Sequence, residues 1–178
     1  LTHGMITMID SLYLGPEYDL SPHMEGDTVN TMHVAKLLEQ RKVIAVFQGR
    51  SEAGPRALGN RSILYDPRDP DGKDRINKIK NRESFRPFAG SVLLPHVHKW
   101  FDMGGLDESP FMMYAVDALP HTYDKIPAIL HVDNTCRVQT VALKDNVNYY
   151  QLIDSFYQIT DVPILFNTSF NLAGEPLV

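Results

Sequence analysis

Three glycines, three arginines and one proline fall within fourteen residues, Gly49-Arg50-Ser51-Glu52-Ala53-Gly54-Pro55-Arg56-Ala57-Leu58-Gly59-Asn60-Arg61-Ser62. Two apolar runs flank the stretch, Val43 to Phe47 before it and Ile63 to Tyr65 after it. Short apolar runs bounded by Gly and Pro read as buried strands, so the loop between them sits at a strand end. Glycine supplies backbone that turns tightly, and a guanidinium offers oxyanions a planar fork of donors. An anion site is the first expectation, with Gly54 and Gly59 letting backbone N–H groups approach a phosphate. A structural turn carrying surface arginines explains the same composition equally well. The Gly-Lys-Ser/Thr ending of a P-loop is absent.

Charge sharpens this reading. The chain of 178 residues has a net charge of −5. Residues 41–86 nevertheless hold twelve of its seventeen Lys and Arg, against six of its twenty-two Asp and Glu. A basic window on an acidic protein points to a local anionic ligand, or to a solvated charged face. The length suits one domain, large enough to fold without disulfide or metal. A single cysteine, Cys136, excludes an internal disulfide and fits a reducing compartment. No apolar run has the length of a membrane span. A cytoplasmic protein that meets no membrane is the expectation. The chain opens without a start methionine and stops as a strand-like run begins after Glu175, so it reads as a piece of a larger protein.

Along the chain, residues 1–22 read as an extended arm from a preceding domain, with Tyr13, Leu14 and Tyr18 available to pin it to the body. Helical spacing begins near Asp27, with Asp27 or Thr28 as cap. A strand over 43–47, the loop, and a strand over 60–65 follow. Lys73 to Lys80 forms a short basic helix with Ile76 and Ile79 inward. Pro87 pushes Arg86 extended. Strands follow at 91–94, 111–116, 137–143 and 163–166, with a helical turn at 97–101 and an amphipathic helix over 146–160. The helix–strand–Gly loop order is an α/β signature. It predicts a twisted mixed sheet with helices packed on it.

Three further groups carry chemistry. Lys80, Arg82 and Arg86 span a helix end and could flank a polyphosphate, or form a solvated helix tail. Asn167-Thr168-Ser169 follows an apolar strand, where α/β proteins bind ligands at carboxyl ends; an Asx-turn or helix cap competes. Arg137 opens a strand as a ligand contact or an edge guard. His96-Val97-His98 has the spacing of a strand-borne metal pair but no near partner, so no metal site is expected. Cys136 reads as a buried small hydrophobe. No Ser-His-Asp or paired-carboxylate pattern is present.

Read together, Gly54 to Leu64, Asn77 to Ala89 and Phe166 to Asn171 resemble the C-terminal domain of NodU/CmcH-type O-carbamoyltransferases. The likeness covers roughly residues 10–178. It implies a YrdC-like domain over 23–178, cut short at its C-terminus, preceded in the whole polypeptide by an actin-like ATPase-fold domain that holds a metal. It implies binding of ATP, with Mg2+ carried mainly by phosphates and water, and of carbamoyl phosphate, to make a carbamoyl-adenylate. The N-terminal domain would then pass the carbamoyl group to a hydroxyl of a small-molecule acceptor. The residues implied as ligand-binding are Arg56, Lys80, Arg86, Arg137, Asn167 and Ser169. Of these, Lys80, Arg86 and Arg137 offset the charge that develops on pyrophosphate. Ser84 and Gly90 depart from the family pattern, which often has a larger residue and a proline there. Arg61 could as readily brace the following strand, and Arg50 has no role. An RNA-binding module, or a regulatory nucleotide-binding module without chemistry, is the rival reading. The acidic net charge and the scarcity of aromatics among the arginines argue against RNA.

Overall fold

A computed structural model describes residues 12–15, 29–172 and 174–175. Its strands are β1 (Ile44–Phe47), β2 (Arg61–Tyr65), β3 (Ala89–Leu93), β4 (Phe101–Asp102), β5 (Tyr114–Ala118), β6 (Thr135–Val141) and β7 (Ile164–Ser169). Its helices are α1 (Thr31–Glu39), α2 (Gly72–Ile79) and α3 (Val147–Thr160), with 3-10 turns at Leu94–Lys99 and Pro120–Thr122. The strands form one sheet ordered β1-β2-β7-β3-β6-β5-β4. Only β3 and β6 run parallel; the other pairs are antiparallel. This is the mixed α/β architecture expected from the sequence.

The elements follow from local chemistry. Asn30 caps α1 by accepting from the His33 N–H, at 2.8 Å, and Asn146 caps α3 by accepting from the Tyr149 N–H, at 3.0 Å. Asp27, Thr28 and Tyr18 lie outside the described residues, as does most of the arm at 1–22. The fragment that is described pairs with the arginine-glycine loop. Ala53 N–H donates to the Leu12 carbonyl at 2.7 Å, Gly15 N–H to Ser51 at 3.1 Å, and the Tyr13 hydroxyl to Leu58 at 2.8 Å. Leu12 is buried and Leu14 exposed, so Tyr13 and Leu12 do the pinning.

Both faces of the sheet are covered. α1 and α3 pack together, with the Ser155 hydroxyl donating to Thr31 at 3.0 Å. Tyr149, Leu152, Ile153 and Phe156 form the buried stripe of α3. Ile159, expected on that stripe, is 38% exposed at the last turn. On the opposite face, Phe88 and Tyr65 flank Phe166, at ring distances of 4.4 and 6.1 Å. Ile126, Ala128 and Ile129 fill in beneath them. Gly90 belongs here: a Cβ would lie 2.6 Å from Ile129 Cδ1, so a larger residue at this position requires Ile129 to shift. On α2, Ile76 is buried, but Ile79 is 47% exposed and does not face inward as its spacing suggested. The buried residues of this eight-residue helix are Gly72, Ile76 and Asn77, and Ile79 at its last position lies off that face. Among the described residues, no helix is long and apolar enough to cross a membrane.

The arginine-glycine loop is held by one carboxylate. Glu52 is 8% exposed, and its Oε1 accepts from the N–H groups of Leu58, Asn60 and Arg61 at 2.8, 2.8 and 2.9 Å. These N–H groups flank Gly59, one of the two glycines at which backbone was expected to approach a phosphate. Gly59 N–H is also taken, by the Ser62 hydroxyl at 2.9 Å. Around Gly59 the backbone donors are therefore met from within. Arg61 braces the same turn. Its guanidinium donates to the carbonyls of Gln48, Gly49 and Asn60 at 2.7, 3.2 and 3.0 Å and lies 3.8 Å over the Phe47 ring.

A second clamp fixes the end of β7. The Lys80 ammonium, 2% exposed, donates to the Ser169 carbonyl at 2.6 Å and hydroxyl at 3.3 Å. It also reaches the Asn171 carbonyl and Oδ1, both at 2.9 Å. Burial, then the neighbouring Arg82 guanidinium, lowers this ammonium to about 8. The surrounding acceptors keep its proton in place at neutral pH.

These features give three expectations. Gly59 has φ +112, and a Cβ there would enter the Tyr149 ring. Gly59→Ala should lose about 3 kcal/mol of stability in urea denaturation, from backbone strain and overpacking together. Glu52→Ala strands three buried N–H groups and should lose about 3 kcal/mol or more, with Glu52→Gln losing less. For Lys80 the folded protein holds the proton less tightly than the unfolded chain, so this group adds stability as pH rises from about 8 toward 10.5. Urea midpoints measured across that window should rise relative to those of Lys80→Met; parallel curves would contradict the assignment.

Candidate anion-binding site

The face of the sheet that meets the loop carries a polar row. β7, β3 and β6 put Asn167, Ala89 and Arg137 side by side, with only a methyl group between the two polar side chains. Two residues further along β3 and β6, on the same face, the Ser91 hydroxyl donates to Gln139 Oε1 at 2.7 Å. Asn167 Nδ2 donates to Ser91 Oγ at 2.9 Å, to the Ala57 carbonyl at 3.1 Å and to Gln139 Oε1 at 3.3 Å. Gln139 Nε2 donates to the Leu58 carbonyl at 3.0 Å. Carbonyls only accept, so these contacts fix the orientation of both amides. The cluster ties the loop onto the sheet and leaves Asn167 Oδ1 buried without a partner.

In front of this row lies a pocket of about 110 Å³. Arg56 comes to it from the loop, Arg137 from the start of β6, Asn167 and Ser169 from the end of β7, and Arg82 from the turn after α2. Of the residues singled out in the sequence, Arg56, Arg137, Asn167 and Ser169 are thus brought together. Lys80 is not among the lining residues; its ammonium is spent on Ser169 and Asn171 behind the wall. Arg86 is also outside the lining. It is about half exposed and paired with Glu83 at 3.0 Å. The carboxyl-end rule holds for β7 alone, because β3 and β6 begin at this end of the sheet.

Arg82 belongs to the wall and was not among the residues implied as ligand-binding. Asn77 at the end of α2, 1% exposed, positions it by accepting from Arg82 Nε at 2.6 Å. The same side chain donates to the carbonyls of Ser84 and Arg86 at 3.1 and 3.2 Å. The guanidinium lies 4.2 Å over the Phe88 ring. The available signal was a buried-type amide five residues before an arginine on a helix that is otherwise basic.

The electrostatics are those of like charges gathered at one place. Burial, and then Arg56, lowers the Arg137 guanidinium below its ordinary range. Burial, then Arg86 and Arg137, does the same to Arg82. Among the described residues, no carboxylate lies within ion-pair distance of Arg56, Arg82 or Arg137. Each retains a buried nitrogen without a partner: Arg56 Nε, Arg82 Nη2 and Arg137 Nε. Each such group costs roughly 1–3 kcal/mol when left unmet. Three of them around one pocket, plus an orphaned acceptor, describe a ligand with anionic oxygens and a hydrogen-bond donor. Elsewhere, His96 packs edge-on against Tyr157 at 4.7 Å. Among the described residues, no three His, Cys, Asp or Glu side chains are grouped to hold a metal. Burial pushes the Cys136 thiol up to about 12, which leaves it without nucleophilic character at neutral pH.

Comparison with known proteins gives this arrangement a context. The family model described as "Carbamoyltransferase C-terminus" matches residues 35–178. The nodulation protein NolO of Bradyrhizobium diazoefficiens is 50% identical over 76% of this chain and 25% of its own length. Nodulation protein U of Rhizobium tropici is 36% identical over 97% of this chain and 30% of its own. The chain thus spans less than a third of the curated relatives it matches. Full-length HypF, in a crystal structure of its phosphate- and nucleotide-bound form, shares the fold. The TM-score is 0.51 at 17% identity, over 86% of this chain and 19% of that one. The chain belongs to the carbamoyltransferase C-terminus family.

Proposed function

We propose that this domain binds carbamoyl phosphate and ATP and joins a carbamate to AMP. In the whole protein, a further domain then passes the carbamoyl group to a hydroxyl of a small-molecule acceptor. The observation that carries this reading is the set of buried, unpartnered groups around the pocket: three guanidinium nitrogens and one amide oxygen. Carbamoyl phosphate offers the complement, with phosphate oxygens for Arg56, Arg82 and Arg137 and an N–H for Asn167 Oδ1. Membership of the family and a shared fold with nucleotide-bound HypF support the same class of ligand.

The chemistry asks for what the residues offer. Water releases phosphate from carbamoyl phosphate, leaving carbamate. A carbamate oxygen then bonds to the α-phosphorus of ATP as the bridging P–O bond breaks, and pyrophosphate leaves with the electron pair. Anions are brought together at every stage, and fixed guanidiniums offset that repulsion without reorganising. Removing one such donor raises the barrier by about 3 kcal/mol. Lys80 and Arg86 join the site only by exchanging Ser169, Asn171 and Glu83 for ligand oxygens. Mg2+ fits as an ion carried by the nucleotide's phosphates and water, since the lining is cationic. Convergence of the arginines on one pocket, instead of along a groove, gives the RNA-binding alternative no support.

Calorimetric titration of this chain with carbamoyl phosphate, and separately with ATP, tests the reading. Heat is expected with each, and Arg137→Ala or Arg82→Ala should weaken carbamoyl phosphate binding about tenfold or more. Absence of heat with both ligands from folded protein would overturn it.

A further inference from the structure

A chain of hydrogen bonds runs from the arginine-glycine loop to the wall of the arginine pocket, and it has one direction. The Leu58 carbonyl only accepts, so Gln139 turns Nε2 toward it, at 3.0 Å. Gln139 Oε1 therefore faces the strands, where it takes the one proton of the Ser91 hydroxyl at 2.7 Å. Ser91 Oγ is left with lone pairs for Asn167, and the Ala57 carbonyl presents lone pairs to the same group from the loop. Three acceptors thus surround one end of the Asn167 side chain: Ser91 Oγ at 2.9 Å, Ala57 O at 3.1 Å and Gln139 Oε1 at 3.3 Å. That end is the amide nitrogen. Oδ1 takes the other end, buried and without a partner, on a residue that lines the pocket. Ser91 is 0% exposed, and Gln139 and Asn167 are 1% exposed each, so bulk water does not compete for these contacts.

We propose that Gln139 and Ser91 are positioning residues that make the pocket select an acyl phosphate bearing an N–H over one bearing a methyl group in its place. This rests on the carbamoyl phosphate reading above and adds how the acyl group is told apart. Neither residue lines the pocket; both act through Asn167. Guanidiniums carry donors alone, so Arg56, Arg82 and Arg137 recognise the phosphate oxygens that all acyl phosphates share. Asn167 Oδ1 adds an acceptor beside those donors. An amino group meets it with a hydrogen bond. A methyl group of similar size fills the space and leaves the acceptor unmet, and a site built for a hydrogen bond rejects the ligand that lacks it. With the amide reversed, Nδ2 would face the pocket and the preference for an N–H would vanish. The reversed amide would also set Oδ1 against three acceptors, and the Leu58–Gln139–Ser91 chain prevents this.

Carbamoyl phosphate and acetyl phosphate share a phosphate and differ by an amino group for a methyl group. Calorimetric titration of this chain with each, for the wild type, Gln139→Leu and Gln139→Glu, tests the proposal. The wild type should bind carbamoyl phosphate about tenfold more tightly than acetyl phosphate. In Gln139→Leu the Ser91 proton is free to turn to Asn167 and meet Oδ1 from within, so the ratio should fall to about twofold or less while acetyl phosphate still binds. Gln139→Glu keeps an oxygen in place of Oε1 and should keep the preference, which separates orientation of Asn167 from support of the loop. An unchanged ratio in Gln139→Leu, with both ligands weakened alike, is the mark of a displaced loop and would overturn the proposal. So would loss of the preference in Gln139→Glu. Equal binding of the two ligands by the wild type would overturn it without any variant having to fold. In each of these cases carbamoyl phosphate still binds and the anion-binding reading stands. Failure of the folded wild type to bind either ligand would overturn both.

Discussion

The carboxylate of Glu52 is the contact on which the site depends. One oxygen gathers the N–H groups of Leu58, Asn60 and Arg61 and so gives a glycine-rich segment a single shape. Without it the loop's donors would be unmet beneath α3, and Arg56, Ala57 and Leu58 would have no fixed position. The Ala57 and Leu58 carbonyls are what Asn167 and Gln139 hold. The loop and the sheet therefore orient each other. The internal anion organises the turn, and the Arg56 side chain is left with an unpartnered buried nitrogen.

That division of labour explains how a cationic cluster persists on an acidic chain. Arg61 is consumed by carbonyls of its own loop, and Lys80 by the turn after β7. Arg56, Arg82 and Arg137 repel one another across a shared space. They are held there by elements whose stability comes from elsewhere: the Phe88–Phe166 packing, the β3–β6–β7 ladder and the Asn77 bracket. Strain of this kind is placed at binding sites and sustained by the surrounding structure.

Much of the fold was legible because burial and periodicity coincide. β1, β2, β7 and α3 were bounded to within a few residues by apolar runs and by cap or turn residues. The strand at 114–118 was displaced from its expected place at 111–116 because the left-handed turn at Met112 breaks extended backbone there and leaves Phe111 and Met113 exposed. Ile79 misled for a different reason: helical spacing counts turns, not the area available to cover them. At the site, residue type identified Arg56, Arg137, Asn167 and Ser169 as polar groups at strand ends. It could not tell Arg82 from Arg86, four residues apart, since the choice is made by Asn77 and by the left-handed turn at Asn81. Nor did it separate Glu52 from any other loop carboxylate, because its role is a matter of which backbone it faces.

The order of the sheet has a kinetic side. β2 and β7 are neighbours although more than a hundred residues separate Leu64 from Asn167, and the pocket draws on segments near 56, 82, 137 and 167. Contacts of such high separation form late in folding, after loop closure has been achieved. The three guanidiniums are brought together by contacts of this kind, since they come from segments far apart in the chain. An anion that neutralises them binds the folded chain and has no such site on the unfolded one. It would hold the folded chain together by mass action.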